Sequence, residues 1–163
     1  MKRLLFFALL FSLKSYAGDT TRLLYRPYAD AAREVEALLQ RARAENKRLL
    51  IQVGGNWCLM CYRLNSSLQT DTALKSLLDR DYLLYHLNYS RENKNLALLN
   101  KWGGPQRFGF PVLVVLEATG RRLHTQNCAL LLKGNGYDPA KLRSFLLAWK
   151  PQENAQYEVG STK

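Results

Sequence analysis

The sequence predicts an α/β fold with a central mixed β-sheet flanked by helices. Three observations carry this reading. A short apolar run, Leu49 to Val53, breaks at Gly54-Gly55 and leads directly into a helix-like stretch. Strand-like and helix-like segments then alternate, the pattern of strands joined by helical crossovers. Finally the most apolar run of the chain, Val112 to Leu116, passes through the turn Glu117-Ala118-Thr119-Gly120 into Arg122 to Thr125, which adds an antiparallel hairpin.

Each element follows from its own pattern. Residues 1–17 hold Met1-Lys2-Arg3, an apolar run from Leu4 to Leu13 and then Ser15-Tyr16-Ala17, with small residues where a signal peptidase cuts. They read as a cleavable secretory signal peptide. The apolar run falls well short of the roughly twenty residues that cross a bilayer as a helix, so no stable membrane anchor is expected. No cysteine precedes Cys58, which leaves no site for the lipid of a tethered lipoprotein. Residues 18–29 are polar and aperiodic, an N-terminal arm with room for a brief strand.

Asp30 suits a helix N-cap, with Val35, Leu38, Leu39 and Ala42 at helical spacing behind it and the helix ending near Asn46. Leu49 to Val53 is a buried strand. A second helix opens at about Cys58 and runs toward Leu68, and Asp71 caps another that contains Leu74, Leu77 and Leu78. Tyr82 to Tyr89 forms the next buried strand, and Asn93 to Trp102 a short helix stopped by Gly103-Gly104. Asp138-Pro139 starts a last helix with Leu142, Phe145, Leu146 and Trp149 on one face, and Pro151 stops it. The segment from Cys128 to Tyr137 shows no assignable pattern. Residues 151–163 read as a disordered C-terminal tail, which leaves one domain over residues 30–150.

One domain also fits 163 residues of which 47% are hydrophobic. The chain is basic, with 24 basic and 13 acidic residues; loss of Lys2, Arg3 and Lys14 with the signal leaves 21 against 13, about +8. These charges are scattered and no nucleic-acid motif accompanies them, so no nucleic-acid partner is expected. Such a balance bears on solubility and encounter rates rather than on activity.

The chemistry lies in Trp57-Cys58-Leu59-Met60-Cys61. Cys58 stands after a strand and a glycine break, at the start of a helix, where unpaired amides and the helix dipole favour a thiolate. Cys61, one turn later, lies within reach of Cys58 and deeper in the domain. Cys58 therefore suits the attacking role and Cys61 the resolving role in thiol-disulfide exchange. The other readings are a structural staple or half of a metal site. Zinc needs two further ligands, and only Cys128, His86 and His124 are to hand, none in a second paired cluster, so neither metal nor other cofactor is expected.

With these residues the sequence resembles the thioredoxin superfamily, in particular exported thioredoxin-like proteins with a WCxxC motif. The resemblance spans roughly Asp30 to Lys150 and rests on the strand Leu49 to Val53, the cysteine segment, and Gly109-Phe110-Pro111 before the hairpin. It implies a three-layer fold. It also implies that Pro111 is cis and faces the cysteines, that Phe110 leaves its backbone free to pair with an extended substrate, and that Trp57 belongs to a flat apolar contact surface. A trans Pro111 opening a strand, and Trp57 as ordinary core, are the plainer readings.

The departures matter as much. Where thioredoxins proper carry a buried acid six residues before the first cysteine, this chain has Gln52, so that base is missing. On the neighbouring strand His86 occupies a position where many members place a lysine. A histidine there either shuttles the proton of the resolving thiol or is satisfied by a carbonyl or solvent. Leu59-Met60 between the cysteines holds no imidazole to stabilise the thiolate further, which argues for a reducing or intermediate potential. Cys128 is the odd cysteine, either buried and inert or available for an intermolecular bridge.

The expected activity is thus thiol-disulfide exchange, in the reducing direction, on cysteines and disulfides of exported proteins in the periplasm or outside the cell, with electrons from a membrane-embedded donor. Two alternatives stand beside it: a polypeptide-binding module that keeps the disulfide as a staple, and a chaperone for a soft cuprous ion.

Overall fold

The computed structural model describes residues 23–152. The expected signal peptide and almost all of the expected C-terminal tail lie outside these residues. The chain runs α1 (Ala31–Ala44), β1 (Arg48–Gly54), α2 (Leu59–Thr70), α3 (Thr72–Asp81), β2 (Tyr82–Asn88), α4 (Leu96–Lys101), β3 (Val112–Leu116), β4 (Arg122–Asn127), β5 (Leu132–Lys133), β6 (Gly136–Tyr137) and α5 (Pro139–Trp149). Short 3-10 turns cover Pro105–Phe108 and Cys128–Leu131.

Four strands form one sheet in the order β2-β1-β3-β4, and β5 with β6 forms a two-stranded ribbon. β1 and β2 are parallel, joined through α2 and α3, while β3 runs antiparallel to both β1 and β4. The sheet is therefore mixed. A bulge at Val115 and Leu116 shifts the β3–β4 register, which locally raises the twist of an edge pair.

Successive side chains of a strand point to opposite faces, and β1 and β3 bury both. Leu50, Leu113 and Val115 join Leu64, Leu68, Leu77, Leu142 and Leu146 of the helices in one core. Leu49, Ile51, Val53, Val112, Val114 and Leu116 meet Val35, Ala42, Leu98 and Leu99 in the other. These two cores separated by the sheet make the fold three-layered: α2, α3 and α5 on one face, α1 and α4 on the other. The Tyr82 hydroxyl donates to the Leu146 carbonyl at 2.6 Å and ties the β2 edge to α5.

The helix expected from Asn93 begins only at Leu96. Asn93 and Asn95 instead hold the loop: Asn93 Oδ1 accepts from the Asn95 N–H, the Asn95 side chain donates to the Asn88 carbonyl, and Asn95 itself has a left-handed backbone, φ +51°. Asparagine side chains compete with helix formation in this way. β4 runs two residues past the expected Thr125, and the unassigned stretch after it is the 3-10 turn plus the β5–β6 ribbon. Residues 23–29 hold turns and bends rather than a strand.

Candidate active site

The site forms where β1 hands over to α2. Cys58 is the N-cap of α2 and Cys61 lies in its first turn, and the two form a disulfide with Cα atoms 5.3 Å apart. The Cys61 N–H points at Cys58 Sγ, 3.2 Å away, so the sulfur takes the capping role that a serine or aspartate oxygen usually fills. Cys58 keeps 6% of its surface exposed whereas Cys61 has none. The outer sulfur sits at the positive end of the helix and the inner one is sealed beneath it.

Two glycines make this geometry fit. A Cβ on Gly54 would collide with Cys61 Sγ and would stand 2.6 Å from the Tyr25 hydroxyl, so the missing side chain is the space in which sulfur and hydroxyl converge. A Cβ on Gly55 would strike the Trp57 indole, which folds back so that Nε1–H donates to the Tyr89 carbonyl at 2.9 Å.

Trp57 is 59% exposed and meets Phe110 edge to face at 5.4 Å, and Phe110 leans on Tyr89 at 4.8 Å. The Phe110–Pro111 peptide bond is cis. Next to these rings lies a groove of about 230 Å³ whose walls include Met60, Phe108, Phe110, Pro111, Cys128 and Tyr137. With Leu59 also exposed, the cysteines are ringed by apolar surface.

Of the residues singled out in the sequence, Trp57, Cys58, Cys61, Phe110 and Pro111 thus gather at one end of the sheet. His86 stands apart. It is the register partner of Gln52 on the parallel strand, its Nε2 is buried without a hydrogen-bond partner among the described residues, and no hydrogen bond joins it to either cysteine there. Burial lowers its pKa from the ordinary 6.5 to about 4, so the ring is neutral at physiological pH. Cys128 is free and 1% exposed, and burial pushes its thiol up to about 12. That keeps it protonated and unreactive.

Tyr25 is the residue that sequence reasoning missed. It is completely buried and packs with Cys58 and Cys61 in a small cluster of its own. Asn56 straps it there: its Oδ1 accepts the Tyr25 N–H at 3.0 Å and its Nδ2 donates to the Tyr25 carbonyl at 2.9 Å. Gln52 Nε2 donates both to Tyr25 Oη at 2.7 Å and to the Cys61 carbonyl at 3.1 Å. The Tyr25 ring stands edge-on to His86 at 5.5 Å. One of two tyrosines in an aperiodic arm carries no local sign of such a place.

Among the described residues, no group of three or more histidine, cysteine or acidic side chains could hold a metal ion, and no helix is long and apolar enough to cross a membrane.

The model of a family described as thioredoxin-like matches residues 30–118. No curated protein matches the chain. Among solved structures, the chain is similar to a disulphide isomerase from Xylella fastidiosa Temecula1, at 24% identity and a TM-score of 0.69, over 78% of this chain and 97% of that one. It is also similar to the oxidised C-terminal domain of Neisseria meningitidis DsbD, at 17% identity and a TM-score of 0.50, over 72% of this chain and 94% of that one. At these identities the likeness is one of fold.

Proposed function

The chain belongs to the thioredoxin-like family, and from that premise we propose that it is an exported oxidoreductase that reduces disulfides of exported proteins through Cys58 and Cys61. The observation that carries this is the placement of Cys58 Sγ at the N-cap of α2, with the Cys61 N–H aimed at it and Cys61 sealed behind.

In the reduced protein Cys58 attacks a substrate disulfide as the thiolate, a charge that the helix end and the Cys61 amide stabilise. One substrate sulfur leaves, and a mixed disulfide joins the other to Cys58. Cys61 then attacks Cys58 Sγ, the substrate departs as a thiol, and the pair is left oxidised. Trp57, Phe110 and Pro111 supply the apolar surface against which an extended substrate lies. His86 stands edge-on to Tyr25 and is neutral; slower exchange near neutral pH in His86→Ala would make it a relay for the Cys61 proton, and an unchanged rate across pH removes that role. Regeneration takes two electrons from a membrane-embedded donor, since the usual cytosolic reductants do not reach an exported protein. Export rests on the signal-like residues 1–17 and is checked by fractionating cells that express the full chain.

The deciding measurement is the reduction potential of the pair, by equilibration in glutathione buffers and counting of alkylated cysteines. A value near the roughly −270 mV of reducing thioredoxins supports the proposal, and one near the roughly −120 mV of strong oxidants reverses the direction. A pair that resists reduction until the domain unfolds makes the disulfide a staple and the protein a polypeptide-binding module.

A further inference from the structure

Cys61 has to react from inside the protein. Its side chain is completely buried, yet to displace substrate from Cys58 it must carry negative charge as it attacks. Desolvation opposes a bare thiolate, so the site needs an opposite charge or a hydrogen-bond donor directed at the sulfur. Gln52, on β1 behind the pair, provides neither. It is uncharged, and its Nε2 is engaged by the Tyr25 oxygen at 2.7 Å and the Cys61 carbonyl at 3.1 Å. The carbonyl dictates that orientation, because only an N–H can meet it.

Tyr25 has what Gln52 lacks. Its oxygen already accepts from Gln52, so its own O–H is left to seek a second acceptor, and accepting one bond polarises it into a better donor. The Tyr25 oxygen and Cys61 Sγ both border the space over the bare Cα of Gly54, and the two residues pack in one buried cluster. Burial also raises the phenol well above its ordinary range, so the hydroxyl keeps its proton and remains a donor. The titratable groups around this corner are Cys58, Tyr62 of α2, His86 of β2, Cys128 after β4 and Tyr137 of β6, and none is a permanent cation.

We infer that the Tyr25 hydroxyl is the donor that stabilises the Cys61 sulfur as it becomes a thiolate, so that a residue 36 positions away from the resolving cysteine sets the rate of the resolving step. A disulfide sulfur is a poor acceptor and a thiolate a strong one, so the bond forms only when Cys61 is reduced and ionising. In that step the Cys58–Cys61 bond forms and the bond from Cys58 to substrate breaks. The substrate sulfur takes the electron pair, and the proton lost by Cys61 ends on the released substrate thiol. Tyr25 holds its own proton throughout.

The inference rests on the redox reading of the pair, and one experiment separates the two. The reduced full chain is mixed with 5,5′-dithiobis(2-nitrobenzoate) in a stopped-flow instrument. Attack by Cys58 releases a first coloured thiolate and attack by Cys61 a second. In Tyr25→Phe, which keeps the ring and removes only the hydroxyl, the second release slows about tenfold at pH 7, as expected for one hydrogen bond to a charged group. Its pH midpoint rises by about one unit for the same reason, while the first release is unchanged. Tyr82→Phe, which removes a buried hydroxyl far from the cysteines, leaves both phases as they were. An unchanged second phase in Tyr25→Phe overturns the inference, and so does equal slowing of both phases, which marks the loss as structural. If the unaltered chain never gives a second release, the redox reading falls and the inference with it. Should Tyr25→Phe fail to fold, Gln52→Leu removes the partner that polarises the hydroxyl; slowing confined to the second phase supports the inference, and no slowing overturns it.

Discussion

The Cys61 N–H reaches Cys58 Sγ at 3.2 Å, so the inner cysteine's backbone solvates the sulfur of the outer one. In the proposed exchange, attack by Cys58 and resolution by Cys61 would take place at different depths of one helical turn. Cys58→Ser is expected to abolish exchange with a model disulfide. Cys61→Ser retains the first attack and accumulates a mixed disulfide, seen as an adduct mass that dithiothreitol removes. The reverse pattern would exchange the two roles.

His86 makes stability depend on pH. Its folded pKa of about 4 lies below the ordinary 6.5 because burial disfavours the imidazolium. The unfolded chain therefore binds more protons across that window, and the neutral ring's contribution is complete above pH 6.5 and lost as pH falls toward 4. The loss attributable to this one group is up to about 3 kcal/mol. Urea unfolding at pH 7, 5.5 and 4.5 is expected to show a shallower pH dependence for His86→Leu than for the parent chain; parallel profiles would place the proton uptake elsewhere.

Gly54 is expected to reject even one methyl group. An alanine there presses on Cys61 Sγ and on the Tyr25 hydroxyl from the β1 side, and both belong to a buried cluster with little room to move. Overpacking of this kind costs about 1–3 kcal/mol. Chemical denaturation of Gly54→Ala measures the loss, which should come with slower exchange; unaltered stability would mean that the cluster yields at no cost.

Cys128 is buried beside the groove, with its thiol pushed up to about 12. The folded, oxidised protein should therefore release no coloured thiolate from an aromatic disulfide reagent at pH 8, and one equivalent per chain once unfolded in urea. Cys128→Ala should leave exchange rates unchanged. Rapid labelling of the folded chain would show that the thiol is accessible.

Much of this was legible along the chain, for reasons that particular residues make plain. Asp30, Asp71 and Asp138 each accept a backbone N–H at the start of a helix, and capping is a local interaction that sequence displays. Val112 to Leu116 reads as a buried strand because every one of its side chains is covered. The pairing of Gln52 with His86 follows once the two strands are placed side by side. Less legible was the stretch after Ser90, where Asn93 and Asn95 use their side chains to hold a loop and so delay a helix that the apolar spacing invites. The β5–β6 ribbon has only two residues per strand, too few for any period to show.

By itself the sequence determined the order of the helices and of the four strands of the main sheet along the chain, the glycine break before Cys58 and the cysteine spacing that places both sulfurs on one turn. All of these depend on neighbours within a few residues, where periodicity, capping and turn chemistry act. Only the tertiary structure decided that Tyr25 lies against Cys61, that Gln52 bonds both at once, and that Trp57, Phe110 and Tyr89 meet in one apolar edge. Most of those contacts join residues tens of positions apart. Their formation depends on how the chain closes on itself and buries them, and a single aromatic or amide side chain announces nothing of that in its own stretch of sequence.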